Sequence, residues 1–187
     1  MGLASVLEDD SVETVMGIDS STNSLAFAVF KNNVLYKYGK INFVGNTSYE
    51  RLADSKNKLE ALKSEFDVQY IAIEKAVMVH SVDTAIKMGM ALGVVISSVF
   101  SSKTRVVEVV PMSWQTYIGN SVYNRQRKGE VRKQYPTKSA SWLKQHIRDE
   151  RKQYTIDYFN KMYGLSIDDN DVADAIGVGY YAVHKLI

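Results

Sequence analysis

Four acidic residues stand where carboxylates serve chemistry rather than solvation. Asp19 closes a short apolar run from Met16, and Glu74 closes another from Val68. Asp171 and Asp174 are three apart in a segment of helical periodicity, so both project from one face. An apolar run ending in an acid reads as a buried strand that delivers a carboxylate to its end, and in open α/β sheets sites gather at strand carboxyl ends. Carboxylates drawn together without cations repel and raise one another's pKa. Magnesium, which prefers oxygen ligands, relieves that repulsion. Two such ions about 4 Å apart can activate a water and stabilise the leaving oxygen in phosphodiester cleavage. Singly, each acid has an ordinary use: a strand-end Asp forms turns, and an Asp pair near a helix start complements the helix dipole. Acids converging from three separate segments are what point to a metal-dependent phosphodiesterase. Asp168 and Asp169 adjoin the last pair, as a helix cap or a fifth acid.

The elements that must position these acids follow from hydropathy. Met16–Asp19, Leu25–Phe30 and Val34–Phe43 read as three strands, with Lys31-Asn32-Asn33 a hairpin signal between the second and third. Ser48–Phe66 has helical spacing of Leu52, Leu59, Leu62 and Phe66. Val68–Glu74 is nearly continuous in apolar residues, as suits a strand covered on both faces. Val82–Phe100 is an apolar helix bearing Ala85, Gly89, Ala91 and Gly93, a stripe of small residues that suits close packing or a dimer seam. Val106–Val110 is a fifth strand stopped by Pro111, and Met112–Ile118 a short helix. Gly119–Thr137 is polar, basic and without a clear period. Ser139–Tyr163 and Asp169–Lys185 close the chain as helices, the first ended by Gly164. The order predicts an α/β domain on a five-stranded mixed sheet, a three-strand antiparallel meander plus two parallel strands, over residues 15–187. The acidic residues 1–14 are expected to be a disordered extension.

Charge is distributed unevenly. From Arg125 to Lys152 there are ten Lys or Arg (Arg125, Arg127, Lys128, Arg132, Lys133, Lys138, Lys144, Arg148, Arg151, Lys152) against Glu130, Asp149 and Glu150, a net of +7 in a chain of net +2, which leaves −5 elsewhere. Such a local excess predicts phosphate contact with a nucleic acid. Tyr123 and Tyr135 among the cations could stack on unpaired bases. His80, His146 and His184 lack ligand spacing to one another and are expected to be surface or satisfied residues. The absence of cysteine excludes disulfides and thiolate metal sites and fits a cytoplasmic location. No apolar run reaches about 18 residues, so no membrane span is expected.

The motifs together resemble those of the RuvC Holliday-junction resolvases, nucleases of the RNase H-like fold. Met16-Gly17-Ile18-Asp19-Ser20-Ser21-Thr22-Asn23-Ser24 resembles the first motif of that family, Ile71-Ala72-Ile73-Glu74 the second, and Asn170-Asp171-Val172-Ala173-Asp174-Ala175-Ile176-Gly177 the closing helical motif. Met88-Gly89-Met90-Ala91-Leu92-Gly93 resembles the Gly-containing helix after the Glu, and Val110-Pro111 the strand and proline that follow. The likeness runs in order over roughly residues 15 to 185. It implies a magnesium-dependent homodimer that nicks opposed strands of a four-way DNA junction, with Asp19, Glu74, Asp171 and Asp174 as catalytic metal ligands. Asp19 would bridge two Mg²⁺ ions, with Glu74 and Asp174 holding one each and Asp171 completing the cluster or orienting the attacking water. Mn²⁺ would substitute.

The chain departs from the family at several points. The aromatic three residues past the Glu is Val77 here, and the Ala-Arg-Gly of the dimer helix is Ala91-Leu92-Gly93. A basic residue after the proline gives way to Trp114-Gln115. About thirty residues are inserted before Arg151-Lys152-Gln153, which is similar to the family's Lys-x-Gln at the start of a helix. These changes suggest a divergent phage-type member, with other branched DNA as possible substrates. Two alternatives remain on the same fold: a nuclease for structured RNA, and a branched nucleic-acid binder without catalysis. Residues 17–24 are also similar to the first phosphate loop of actin and heat-shock ATPases. Those need two such domains and more glycine loops, for which 187 residues are too few.

Overall fold

A computed structural model describes residues 13–75, 81–101 and 103–187. The expectations for residues 1–12, for Val77 and for His80 lie outside the described residues. The sheet is five-stranded in the order β3-β2-β1-β4-β5. β1 (Thr14–Ser20), β2 (Ser24–Lys31) and β3 (Val34–Asn42) form the antiparallel meander. Asn32 and Asn33 turn the second hairpin with φ of 48° and 64°, the left-handed pair that a two-residue loop needs and that Asn tolerates. β4 (Tyr70–Glu74) runs parallel to β1, and β5 (Arg105–Val109) parallel to β4. The expected mixed sheet is therefore present, with β1 taking in Thr14.

Alternation along β1 divides the core in two. Met16 and Ile18 face one side with Leu25, Phe27, Ile71 and Ile73, and are covered by Leu59 and Leu62 of α1 (Ser48–Glu65) and Val95 and Val99 of α2 (Val82–Val99). Val15, Ala26, Ala28 and Ala72 face the other, beneath Val172, Ala175, Ile176 and Val178 of α6 (Asn170–Lys185). α3 (Pro111–Tyr117) adds Trp114 to that second layer, and α5 (Ala140–Tyr163) adds Phe159. Asp19 has the parity of Val15, and Glu74 that of Ala72, so period-two geometry directs both acids toward α6.

One expectation is corrected. The basic stretch read as irregular contains a helix, α4 (Arg125–Gln134), capped by Asn124, whose Oδ1 accepts from the Arg127 amide at 2.8 Å. Only Val131 of this helix is buried, so it has no apolar period by which hydropathy could reveal it. By length and composition alone α2 is apolar enough to cross a bilayer. It nonetheless packs Ala91, Val95, Ser98 and Val99 inward and carries an Asp83–Lys87 ion pair of 2.7 Å. Its outer surface leaves apolar side chains open: Val82 is 77% exposed and Ile86 58%.

Candidate active site

The acids come within electrostatic reach of one another because α6 lies almost on the backbone of β1. A Cβ on Gly17 would fall 2.4 Å from the Ala175 carbonyl oxygen and 2.6 Å from the Gly179 nitrogen. Only glycine permits that approach. Asp19 lies two residues beyond Gly17 on the same face, and Asp174 and Asp171 lie on the turns of α6 before Ala175. Parallel pairing sets Ile18 beside Ile73, which puts Asp19 and Glu74 next in line on strands roughly 4.8 Å apart.

Burial governs the electrostatics. Asp19 is pushed up to about 7 by desolvation first and then by the negative charges of Glu74 and Asp171, with Lys40 opposing. Asp174 is pushed up to about 8 by desolvation and by Asp19 and Glu74, with Lys152 opposing. Neither forms a hydrogen bond or ion pair among the described residues. Burial also raises Glu74, partly offset by the indole of Trp114, whose Nε1–H donates to Glu74 Oε1 at 2.9 Å. Trp114 is fully buried and occupies space that Gly177 leaves free, since a Cβ there would sit 2.5 Å from the indole ring.

Asp171 is held differently. Lys40 of β3 reaches its Oδ2 at 2.6 Å and Asp169 Oδ2 at 2.8 Å. Register explains the reach: Lys40 pairs with Ala26, and Ala26 with Asp19, so lysine, alanine and aspartate form one row across the sheet, and the small Ala26 leaves the path open. Although burial favours the neutral amine, the hydrogen bonds to Asp169 and Asp171 raise Lys40 above its ordinary value. Burial likewise works against the ionised Asp169, yet Lys40 and the amides of Asp171 and Val172 hold it low. Asp169 is the N-cap of α6, the first of its two expected uses. Asn170 bridges onward, donating to Asp171 Oδ1 at 2.6 Å and accepting from Lys152 Nζ at 3.1 Å. Lys40, Trp114 and Asn170 are site residues that hydropathy and spacing did not reveal. The glycine at 177 was the one sequence trace of the tryptophan.

Among the described residues no three acidic or imidazole side chains close round one point as a ready metal cage. The donor chemistry nevertheless fits a hard divalent cation: three desolvated carboxylates, two of them unpaired, with oxygen donors alone. Asp171, paired with Lys40, is the fourth potential ligand.

The expected DNA contacts divide by environment. Arg125, Lys128, Arg132, Lys133, Lys144 and Arg148 are exposed and have no acidic partner among the described residues. Lys138 lies 5.0 Å over the Trp142 ring, and Arg127 5.2 Å over Tyr123. Arg151 turns inward, donating to Gln115 Oε1 at 2.6 Å and to the Asn120 carbonyl at 3.1 Å, and so anchors the segment before α4. Arg151-Lys152-Gln153 lies within α5 rather than at its start. Lys144, Arg148 and Lys152 repeat every four residues and form a row about 12 Å long on one face of α5, ending beside Asp174. Tyr135 packs on Trp142 and His146, with centroids at 5.1 and 4.9 Å, and joins α4 to α5. Tyr123 donates to Glu150 at 3.2 Å. His184 bonds the Tyr180 carbonyl at 2.8 Å.

Solved structures share the fold. RuvC of T. thermophilus in complex with a Holliday junction substrate aligns with TM-score 0.64 and 17% identity over 92% of this chain and 96% of that one. Thermus thermophilus RuvC alone gives 0.60 and 17% over 90% and 95%. The yeast mitochondrial Holliday junction resolvase Ydc2 gives 0.52 and 13% over 92% and 78%. No curated protein sequence matches. The family model described as crossover junction endodeoxyribonuclease RuvC matches residues 15–132, a span that takes in β1 with Asp19, β4 with Glu74 and most of α4. With the RNase H-like sheet carrying those acids at its centre, the chain belongs to the RuvC family.

Proposed function

We propose that the chain is a structure-selective endonuclease that cuts four-way DNA junctions, and other branched DNA, at the Asp19–Glu74–Asp174 cluster. One observation carries this: desolvated carboxylates from β1, β4 and α6 face one another without basic partners, beside a row of cations. Asp19, Glu74 and Asp174 supply oxygen ligands, and Asp171 joins them when Lys40 yields. Magnesium or manganese bound there, as a pair of ions, would supply an activated water and charge neutralisation at the leaving 3′-oxygen. Trp114 fixes the Glu74 carboxylate. Lys152 holds Asn170 and brings positive charge to the phosphate side of the cluster, while Lys144 and Arg148 track the backbone leading to it.

Two cuts on opposed strands require two active sites, and a homodimer would provide them. The open face of α2 supports this: Val82, Ile86 and Met90 form a stripe beside Gly89 and Gly93, where a Cβ would meet nothing within 4 Å.

The test is incubation with four-way, flapped and linear DNA and with a folded RNA, in magnesium and in chelator. Magnesium-dependent nicking of the branched DNA, lost in Asp19→Asn while junction binding remains, is the expected result. Intact turnover by Asp19→Asn would refute the site.

A further inference from the structure

Between α4 and α5 lies a cavity of about 520 Å³, within the roughly 300–1,000 Å³ of small-molecule sites. Its floor is apolar, made by Leu143 and Ile147, with the exposed Val122 and Ala140 and the Tyr123 ring beside them. Its rim is cationic, made by Lys128 and Arg132 of α4 and Lys144 and Arg148 of α5. None of these four has an acidic partner among the described residues. The nearby acids are engaged elsewhere: Glu130 with Arg127 and Gln126, Asp149 with Gln145, and Glu150 with Tyr123 and His146.

An apolar floor under a ring of unpaired cations suits a ligand with an apolar body and an anionic head, and in a chain that binds branched DNA the ligand of that chemistry at hand is a base attached to phosphates. We infer that the cavity holds an unpaired nucleotide of the DNA strand entering the active site, its base on the floor and its phosphates on the rim. This deepens the proposal that the chain binds branched DNA, and rests on it. Geometry gives the place along the strand. Arg148 on the rim and Lys152 beside Asp174 are one helical turn apart, about 6 Å, or roughly two nucleotides at the 3.4 Å rise of a stacked strand. Unpaired nucleotides occur where helices meet, so the cavity would select branch points over continuous duplex. The expected base stacking by Tyr135 is thereby replaced, since its ring packs on Trp142 and His146, whereas Tyr123 lines the cavity and its ring is available to the base.

The test is fluorescence anisotropy in chelator, so that nothing is cut. A short labelled oligodeoxynucleotide is compared with an abasic sugar-phosphate oligomer of equal length. The chain should prefer the base-bearing strand by about tenfold. Ala140→Trp and Val122→Trp, at exposed lining positions, fill the cavity without removing charge. A folded variant of either kind should lose the preference and keep its affinity for the abasic strand. Arg132→Ala with Arg148→Ala should weaken both strands and flatten the salt dependence. If both tryptophan variants unfold, acrylamide quenching of a 2-aminopurine strand on the unaltered chain decides: shielding supports the site. Equal affinity for the two strands, unchanged preference in both folded tryptophan variants, or unshielded 2-aminopurine would each overturn it. Displacement of the strand by micromolar deoxyadenosine monophosphate would assign the cavity to a free nucleotide and overturn it too. A chain that cuts junctions without base preference removes this inference alone. One that shows the preference and cuts nothing removes the nuclease proposal alone.

Discussion

Replacing Asp19 by Asn should stabilise the cation-free protein at alkaline pH, and the size of the gain follows from the site. Folded Asp19 keeps its proton to about pH 7, whereas its ordinary value is 3.8. Between these values the folded state binds more protons than the unfolded state, so stability falls as pH rises. The stabilisation from Asp19 is complete below about pH 4 and gone above about pH 7. A shift of about three units at 1.36 kcal/mol each amounts to about 4 kcal/mol. Asparagine has nearly the same shape and cannot ionise, so it escapes that loss. The assay is urea unfolding of both proteins in chelator from pH 4.5 to 8. The two midpoints should nearly coincide at the acid end, and the variant should lead by about 2–4 kcal/mol at pH 8. Millimolar magnesium should shrink or reverse the lead, because only the parent can hold the ion with Asp19. Parallel pH curves, or a variant less stable at pH 8 in chelator, would refute the claim that desolvation and repulsion dominate this cluster.

Other substitutions probe the supports. Trp114→Phe removes the Nε1–H that Glu74 accepts. It should cost roughly 1–3 kcal/mol of stability and lower the single-turnover cutting rate more than junction affinity, with the acid limb of the pH–rate profile moved upward. Lys40→Met frees Asp171 from its 2.6 Å partner, so the magnesium concentration for half-maximal cutting should fall; a higher requirement would show that the lysine assists the cation. Ile86→Lys places charge on the open face of α2 and should drive any self-association to monomer, as read by sedimentation, without changing the far-ultraviolet spectrum.

The strands and the four acids were legible because each depends on local pattern. β1 and β4 are apolar runs, and the direction of Asp19 and Glu74 follows from counting by two. The three-residue spacing of Asp171 and Asp174 fixes their shared face once the helix is granted. Lys40 was not legible, because its partners lie more than a hundred residues away and its reach depends on a register that passes through Ala26. Trp114 was equally hidden, as its role needs the end of β4, α3 and Gly177 in one place. α4 escaped because its stability comes from an Asn cap and the aromatic clasp of Tyr135, Trp142 and His146 rather than from an amphipathic stripe. The openness of α2 was invisible for a different reason: hydropathy measures the wish for cover and says nothing of whether this chain or another provides it.

The contact of Gly17 with Gly179 has a consequence for how such a nuclease can change. Main chain rests on main chain there, so the separation of the acids on β1 and α6 is set by peptide dimensions and not by how bulky neighbours happen to fill. Alterations in α4 or in the early turns of α5 can therefore accumulate without detuning the hydrolytic centre. If α4 and the start of α5 choose the substrate, as proposed above, a lineage could try new branched targets while keeping the same scissors.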